Sequence, residues 1–407
     1  MIKKIPSEAI RPGMYIHDLN VDWMNHPFVR NQFVIEGDEA IAKIIATGVR
    51  EVYIDTARGL DMADAPTVEE VNAELDAQLL KMAEEPSPII KVSFAEEMTR
   101  ARKIHSQASN AVRTVMRDIR LGQAIHLEGV AQVVEDITDS VLRNSGALVG
   151  LSGIKNKDEY TFLHSVSVCT LMVTFAQSLG LDRDLIRLAG TGGLLHDTGK
   201  MKVPNEILNK PGRLTEAEFA IMQSHPEAGW QILKDIDGME DIPLDITLHH
   251  HERMDGTGYP HKLPGDQISR MAQMAAVVDV YDAITSDRCY HKGMPAPEGL
   301  RKLWEWSKFH FNPELVQAFM RTVGIYPVGT LVRLESGRLA VVIDQNDAAM
   351  LQPKVKVIFS TKSNTYITPQ VVDLARPMGK GGADKIVGHE NPEKWQISVA
   401  RFLFEAS

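Results

Sequence analysis

The chain has 407 residues, of which 44% are apolar and 24% charged, and this length favours roughly two or three domains over a single core. Its net charge of -10 argues against a general nucleic-acid binder such as a DNA-binding protein, which normally carries a basic face. The two cysteines, Cys169 and Cys289, exclude a disulfide framework and a four-thiolate zinc site. The N-terminus has no apolar signal-peptide core, and polar residues interrupt the most apolar stretch, 166–179. We therefore expect a cytoplasmic protein with no membrane insertion.

Residues 1–60 predict a small α/β module. The segments "GMYIHDL" and "EVYID" have the composition of strands, and "DEAIAKIIATG" has the pattern of a short helix that Gly48 ends. Residues 61–124 predict an acidic, proline-interrupted linker and then a long amphipathic helix that begins at Ser93. The apolar stripe of this helix either packs on its own domain or forms a dimerising or signal-relaying surface, in which case a homodimer is expected.

Residues 125–323 predict an almost wholly helical domain. Thr215 and Glu218 have the spacing of a capping box, and Ser269 precedes another helical pattern as its cap. Such a series of helices predicts a bundle, in which side chains from several helices can converge on one point.

The character of the sequence changes after Tyr326. Apolar and polar residues alternate around a Ser-Gly turn, which predicts a β-hairpin, and the segment 354–372 repeats this pattern. Residues 324–407 therefore predict a β-rich C-terminal appendage. The expected fold class is multidomain and mainly α-helical, with a small N-terminal α/β module and this appendage.

Histidines and acidic residues cluster in the helical domain. Eight of the 14 histidines lie between 164 and 291, namely His164, His196, His225, His249, His250, His251, His261 and His291. His196 and Asp197 are adjacent, so both can reach one centre only where a helix ends, and Gly199 predicts such an end. An imidazole beside a carboxylate suits Mn, Fe or Zn better than Ca or Mg. A structural zinc site is the alternative, but a closed site needs fewer ligands than the sequence offers. The pattern favours a catalytic site with two metal ions, in which Asp197 could bridge the ions that clamp a phosphate ester.

Two cationic residues follow the candidate ligands. Lys200 lies one turn after His196 and could contact a phosphate oxygen. Arg288 follows the helix predicted over 268–286 and could bind a second pair of phosphate oxygens. For each of them an ordinary surface position, solvated or in a salt bridge, is the alternative.

Several segments resemble one known family. The series His164, His196-Asp197 and Asp279 resembles the HD superfamily of metal-dependent phosphohydrolases. The segments "LLHDTGKMKVPNEILNKPGRLT", "SHPEAGW", "HHERMDGTGYP" and "VVDVYDAITSDRCY" resemble the HD-GYP subfamily over residues 150–323. The resemblance implies an HD-type bundle that hydrolyses cyclic di-GMP to linear pGpG and, in some members, on to GMP. It also implies two divalent transition-metal ions, Fe or Mn before Zn, Ni or Co.

The resemblance further implies roles for individual residues. The metal ligands would be His164, His196, Asp197, His225, His250, His251 and Asp279. The catalytic residues would be Asp197, which bridges the metals, and Lys200, which stabilises charge in the transition state. The substrate contacts would be Lys200, Arg288, Gly258, Tyr259 and Pro260. No role follows for His249.

Two positions depart from the family pattern. Some members with three metals carry a Glu one helical turn before the first histidine ligand; this chain has Tyr160 there, which predicts two metals. After "RCY" this chain has His291 where relatives often have a basic residue, which weakens the case for tight substrate binding.

Two other functions stay open. One is an HD phosphohydrolase that acts on another cyclic nucleotide, such as cyclic GMP-AMP. The other is a cyclic dinucleotide sensor or interaction module whose GYP surface binds GGDEF-type cyclases with little turnover. The presence of all seven candidate ligands favours an enzyme over a sensor.

Overall fold

The computed structural model describes residues 1–21, 32–82, 92–125, 127–152, 160–210, 212–287, 292–346, 349–376 and 384–404. Within these ranges the side chains of 76, 79–82, 95, 160 and 161 are not described. Arg288, His291 and the side chain of Tyr160 therefore lie outside the described part of the chain, and the hypotheses that rest on them stay predictions.

The N-terminal module is an antiparallel sheet with one helix packed on it. In chain order its elements are β1 (Ile2–Pro6), β2 (Tyr15–Asp18), β3 (Phe33–Val34), α1 (Asp38–Ala46) and β4 (Glu51–Asp55). The strand order is β1-β4-β2-β3. Ile16 and Ile54 of the sheet are buried together with Ile44 of α1 in one small core. Gly48, just after α1, has a φ of 77°, a conformation that glycine adopts without strain. The strands and the helix expected here are confirmed.

The middle of the chain is helical, as expected. Its helices are α2 (Val68–Met82), α3 (Phe94–Leu121), α4 (Leu127–Ser152), α5 (Tyr160–Ser178), α6 (Arg183–Leu195), α7 (Asn205–Leu208), α8 (Glu216–Met222), α9 (His225–Leu233), α10 (Asp241–His249), α11 (Arg270–Thr285), α12 (Ala296–Trp306) and α13 (Pro313–Val323). Thr215 and Glu218 form the expected capping box on α8, and Ser269 caps α11. Within the described ranges, no helix combines the length and the apolar character that crossing a membrane requires.

The long helix α3 belongs to the bundle. Ser93 caps it in a capping box, and its Ala101, Ala108 and Val112 are buried in the same core as residues of α4 and α5. The prediction that its apolar stripe packs on its own domain is therefore confirmed. A homodimer stays a prediction.

The C-terminal part is a second antiparallel sheet followed by a short helix. Its elements are β5 (Leu331–Leu334), β6 (Arg338–Asp344), β7 (Lys354–Ser360), β8 (Thr365–Asp373), β9 (Ile386–His389) and α14 (Val399–Phe404). The strand order is β8-β7-β6-β5-β9, and both predicted hairpins are present. Leu339 and Ile358 of the sheet share a cluster with Phe94 of α3, so the sheet is packed against the bundle.

Candidate metal centre

Helix ends and turns bring together all seven residues that were predicted as metal ligands. His164 lies in the first turns of α5, Asp279 lies within α11, and the other five lie at or beside the ends of α6, α9 and α10. All seven are buried, and the most accessible of them, His251, is only 8% exposed. Their ring nitrogens and carboxylate oxygens form three overlapping groups, in each of which the atoms lie within 4.8 Å of one another. This convergence on a buried point is the main structural feature of the bundle.

The end of α6 lets His196 and Asp197 point to the same centre. The helix ends at Leu195, His196 is its C-cap, and a tight turn of 3₁₀ type follows Asp197. The expectation that Gly199 ends the helix is wrong, because the helix has already ended before it. Gly199 serves another purpose: a Cβ atom there would lie 1.9 Å from the carbonyl oxygen of His225. Only glycine allows the turn to approach the start of α9 so closely.

The two carboxylate oxygens of Asp197 face different histidines. Oδ2 lies 3.3 Å from Nε2 of His196 and 3.6 Å from Nε2 of His164. Oδ1 lies 3.4 Å from Nε2 of His225 and 3.9 Å from Nε2 of His250. Asp197 thus stands between two groups of imidazoles, which is the placement that a bridging carboxylate needs.

Asp279 completes both sides of this arrangement. Its Oδ1 lies 2.9 Å from Nε2 of His164 and 3.6 Å from Nε2 of His196. Its Oδ2 lies 3.9 Å from Nδ1 of His251. The donor set is therefore five imidazoles and two carboxylates, a mixture that suits divalent transition metals.

The donor atoms also have the electrostatic character of a metal site. Within the described residues, Nε2 of His196 and Oδ1 of Asp197 are buried and lack a hydrogen-bond partner, a costly situation that a bound cation would relieve. Burial and the neighbouring His196 lower the pKa of His250 to about 3, so this imidazole is neutral. Burial would raise the pKa of Asp197, but His196 and Lys200 outweigh it and hold this pKa well below its ordinary value. A neutral imidazole and an ionised carboxylate are the forms that bind metal.

The pKa of His196 shows how strongly the carboxylates of Asp197 and Asp279 attract positive charge. Burial alone would lower the pKa of this imidazole, yet Asp197 and Asp279 raise it to about 10. Two buried negative charges thus attract one positive charge to this point in the protein. A divalent ion can replace that proton, because metal binding displaces protons from histidine ligands.

The remaining predicted site residues lie around this cluster. Nζ of Lys200 lies 2.5 Å from Oδ2 of Asp197, at the accessible edge of the site. Tyr259 stacks on His251 with ring centroids 4.6 Å apart. A Cβ atom on Gly258 would lie 2.6 Å from the carbonyl oxygen of His251, so only glycine fits there. Gly258, Tyr259 and Pro260 form the signature loop, which therefore packs against a predicted ligand; the contact of this loop with substrate stays a prediction.

His249 lies outside the cluster. Its Nδ1 lies 2.7 Å from Oδ1 of Asp245, and its Nε2 lies 3.2 Å from Nδ1 of His261. Of the three consecutive histidines, the structure thus brings the second and third to the cluster and directs the first elsewhere.

Two residues beside the cluster were not predicted. Oδ2 of Asp282 lies 2.6 Å from Nδ1 of His164, on the side of the ring opposite the cluster. Glu252 accepts hydrogen bonds from the backbone amides of His261 and Leu263, immediately after the signature loop. The position of Asp282, three residues after Asp279 on one helix, was the signal that could have revealed it.

Comparison with known proteins gives this cluster a family. Residues 152–315 match the HD domain, and residues 2–130 match a domain of unknown function (DUF3391). A cyclic di-GMP phosphodiesterase of Pseudomonas aeruginosa is 46% identical over 399 residues, which cover 98% of this chain and 94% of that relative. The chain belongs to the HD-GYP family. The family confirms the predicted metal-dependent phosphohydrolase class and the HD-type bundle.

Two further relatives match a smaller part of the chain. A cyclic di-GMP phosphodiesterase response regulator of Xanthomonas campestris is 32% identical over a match that covers 56% of this chain and 61% of that relative. A 3'3'-cGAMP-specific phosphodiesterase of Vibrio cholerae is 36% identical over a match that covers 42% of this chain and 37% of that relative. Of these three relatives, the Pseudomonas enzyme alone matches nearly the whole chain.

Proposed function

We propose that this HD-GYP protein is a metal-dependent phosphodiesterase that hydrolyses cyclic di-GMP to linear pGpG, with GMP as a possible later product. The observation that carries the proposal is the buried cluster in which Asp197 stands between two groups of histidines. The substrate follows from the Pseudomonas relative, which is a cyclic di-GMP phosphodiesterase and matches nearly the whole chain.

The arrangement supports two divalent ions, with Fe or Mn as the preferred metals. His164, His196 and Asp279 would hold one ion, and His225, His250 and His251 would hold the other. Asp197 would bind both, because its two oxygens face the two groups. When bound, such ions supply Lewis acidity and lower the pKa of a bound water toward neutrality.

The side chains of the protein supply orientation and charge. Asp197 and Asp279 hold the imidazoles in place, and the buried walls keep bulk water away from the donors. Lys200 donates to Asp197 at the accessible edge, where it can turn toward a phosphate oxygen and stabilise developing negative charge. Because the chain has a net charge of -10, local cations of this kind are needed to bind an anionic substrate.

Product analysis tests this function. The purified protein, loaded with Mn or Fe, is incubated with cyclic di-GMP, and the products are separated by chromatography. We expect pGpG from the wild type and a loss of at least about a hundredfold in rate for His196→Ala and Asp197→Ala, because each removes a metal ligand. His249→Gln is the matched control: it changes a neighbouring histidine outside the cluster and should keep activity within about threefold. Activity that survives in both ligand variants would overturn the assignment.

The same assay separates the other functions. Faster turnover of cyclic GMP-AMP than of cyclic di-GMP would favour the specificity of the Vibrio relative. Stoichiometric binding of cyclic di-GMP by metal-loaded protein, without product, would favour a sensor. Binding of GGDEF-type cyclases and homodimerisation stay predictions, which size-exclusion chromatography with and without a cyclase can address.

A further inference from the structure

The N-terminal module is attached to the bundle by a buried polar network around Glu305 of α12. Glu305 is 3% exposed, and its Oε1 lies 2.5 Å from Nζ of Lys4, 2.7 Å from the hydroxyl of Tyr53 and 3.1 Å from Nδ2 of Asn20. Lys302, one turn earlier on α12, donates to Asp18 and Asn20. Three residues of the module thus bind one buried carboxylate of the bundle, which fixes the orientation of the module.

A second contact lies where α1 ends. Gly48 packs on the side chain of Thr257, and a Cβ atom on Gly48 would lie 2.9 Å from its methyl group. The backbone of Gly48 also lies within hydrogen-bonding reach of the His310 ring, and the carbonyl oxygen of His310 accepts from the amide of Met254. Thr257 immediately precedes Gly258 of the signature loop.

The side chain of Thr257 cannot move away easily. Its hydroxyl donates to Oδ1 of Asp255 at 2.6 Å, and its backbone amide donates to the same oxygen at 3.0 Å. A β-branched side chain has little freedom at χ1, and the hydrogen bond of the hydroxyl holds Thr257 in its present rotamer. A side chain added at Gly48 would press on Thr257, and since Thr257 cannot change rotamer easily, the loop backbone would have to move.

The loop in turn contacts a predicted metal ligand. The amide of Tyr259 donates to the carbonyl oxygen of His251 at 3.2 Å, and the two rings are stacked. Gly258 fits against the backbone of the segment that carries His251, with no room for a Cβ atom. A continuous series of contacts thus runs from Gly48 through Thr257 and Tyr259 to His251.

We propose that the N-terminal module positions the signature loop, and through it His251, by the contact of Gly48 with Thr257. The module is then a working part of the metal centre rather than a separate appendage, and Gly48 and Thr257 are positioning residues. The inference rests on the proposed role of His251 as a metal ligand. Its first readout is made on the protein without substrate, so that it does not depend on which nucleotide is hydrolysed.

The decisive variant is Gly48→Ala in the full chain. The added methyl group would force the module and Thr257 apart, because it would overpack this contact. We expect backbone amides of residues 255–263 to exchange with deuterium about tenfold faster, since the loop opens more often. We also expect Mn affinity, measured by competition with a chelating dye, to fall about tenfold, as for other losses of ligand support.

Two further variants separate positioning from general damage. Gly122→Ala is the matched control, because Gly122 also has a positive φ, of 68°, but a Cβ atom there meets nothing within 4 Å. It should leave the exchange of 255–263 and the Mn affinity unchanged. Thr257→Ser removes the methyl group nearest to Gly48 but keeps the hydroxyl, so in the double variant it should partly restore both quantities.

The outcomes decide between the two views of the module. Faster exchange and weaker Mn binding in Gly48→Ala, with rescue by Thr257→Ser, support the proposal. Unchanged loop exchange, or a defect that Thr257→Ser does not reduce, overturns it. If Gly48→Ala does not fold, the single variant Thr257→Ser tests the proposal. The loss of its methyl group leaves a gap against Gly48, which should speed deuterium exchange of the loop by about threefold. An unchanged exchange rate in this variant overturns the proposal. If the wild type does not hydrolyse cyclic di-GMP but the variants show these loop effects, the proposed function is refuted and this inference stands.

Discussion

Replacement of Asp282 by Asn should weaken metal binding without removing any ligand. Oδ2 of Asp282 lies 2.6 Å from Nδ1 of His164, and Asp282 is only 4% exposed, so water cannot take its place. A charged hydrogen bond of this kind contributes about 1.5–3 kcal/mol, and about 1.4 kcal/mol corresponds to a tenfold change in affinity. Because an amide oxygen can still accept from Nδ1, we expect about a tenfold loss of Mn affinity for Asp282→Asn and about a hundredfold loss for Asp282→Ala.

The assay is competition between the protein and a chelating dye for Mn, followed by turnover at saturating Mn. Asp245→Asn is the matched control, because Asp245 and His249 form a similar carboxylate–imidazole pair at 2.7 Å outside the cluster. Mn affinity should be unchanged in this control. Equal Mn affinity in wild type and Asp282→Ala would refute the view that Asp282 orients His164 for metal binding.

Three further predictions concern stability. Gly199→Ala should lower the free energy of unfolding by more than about 2 kcal/mol in urea titrations, because its Cβ atom would overlap the carbonyl oxygen of His225. Gly129→Ala is the control: Gly129 lies on α4 with open space around it, so this variant should be neutral or stabilising. Removal of metal with a chelator should lower the melting temperature, since metal at about 100 times its dissociation constant adds about 2.7 kcal/mol to the folded state; an unchanged melting temperature would contradict metal binding. Burial raises the pKa of Glu305, but Lys302 and Lys4 outweigh it and hold this pKa below its ordinary value of 4.5. The contribution of Glu305 to stability is therefore present above pH 4.5 and lost as the pH falls through the lowered pKa, so acid titrations of Glu305→Gln should show a smaller loss than those of the wild type.

Of the seven candidate ligands, two pairs have local signals in the sequence, whereas His164, His225 and Asp279 were predicted from the family resemblance. His196 and Asp197 are neighbours, His250 and His251 are neighbours, and each pair lies where a helical pattern stops. At a helix end two adjacent side chains can point to the same side, which a regular helix forbids. The sequence therefore contained the residue types and indicated a helix end close to them, although α6 ends at Leu195 and not at Gly199. The expectation about Gly199 failed because a glycine can be required by a neighbouring backbone as well as by a turn.

The contacts between the domains could not be predicted, because nothing local marks them. Lys4 and Tyr53 have the pattern of ordinary strand residues, and their partner Glu305 follows them by roughly 250 to 300 positions. A lysine on a strand reads as a solvated surface residue unless its partner is known. The same holds for Gly48, which marks a helix end in the sequence and a contact with the signature loop in the fold. Sequence patterns indicate how each segment folds. The coupling of the module to the metal centre depends instead on which segments contact each other, and only the packed structure shows those contacts.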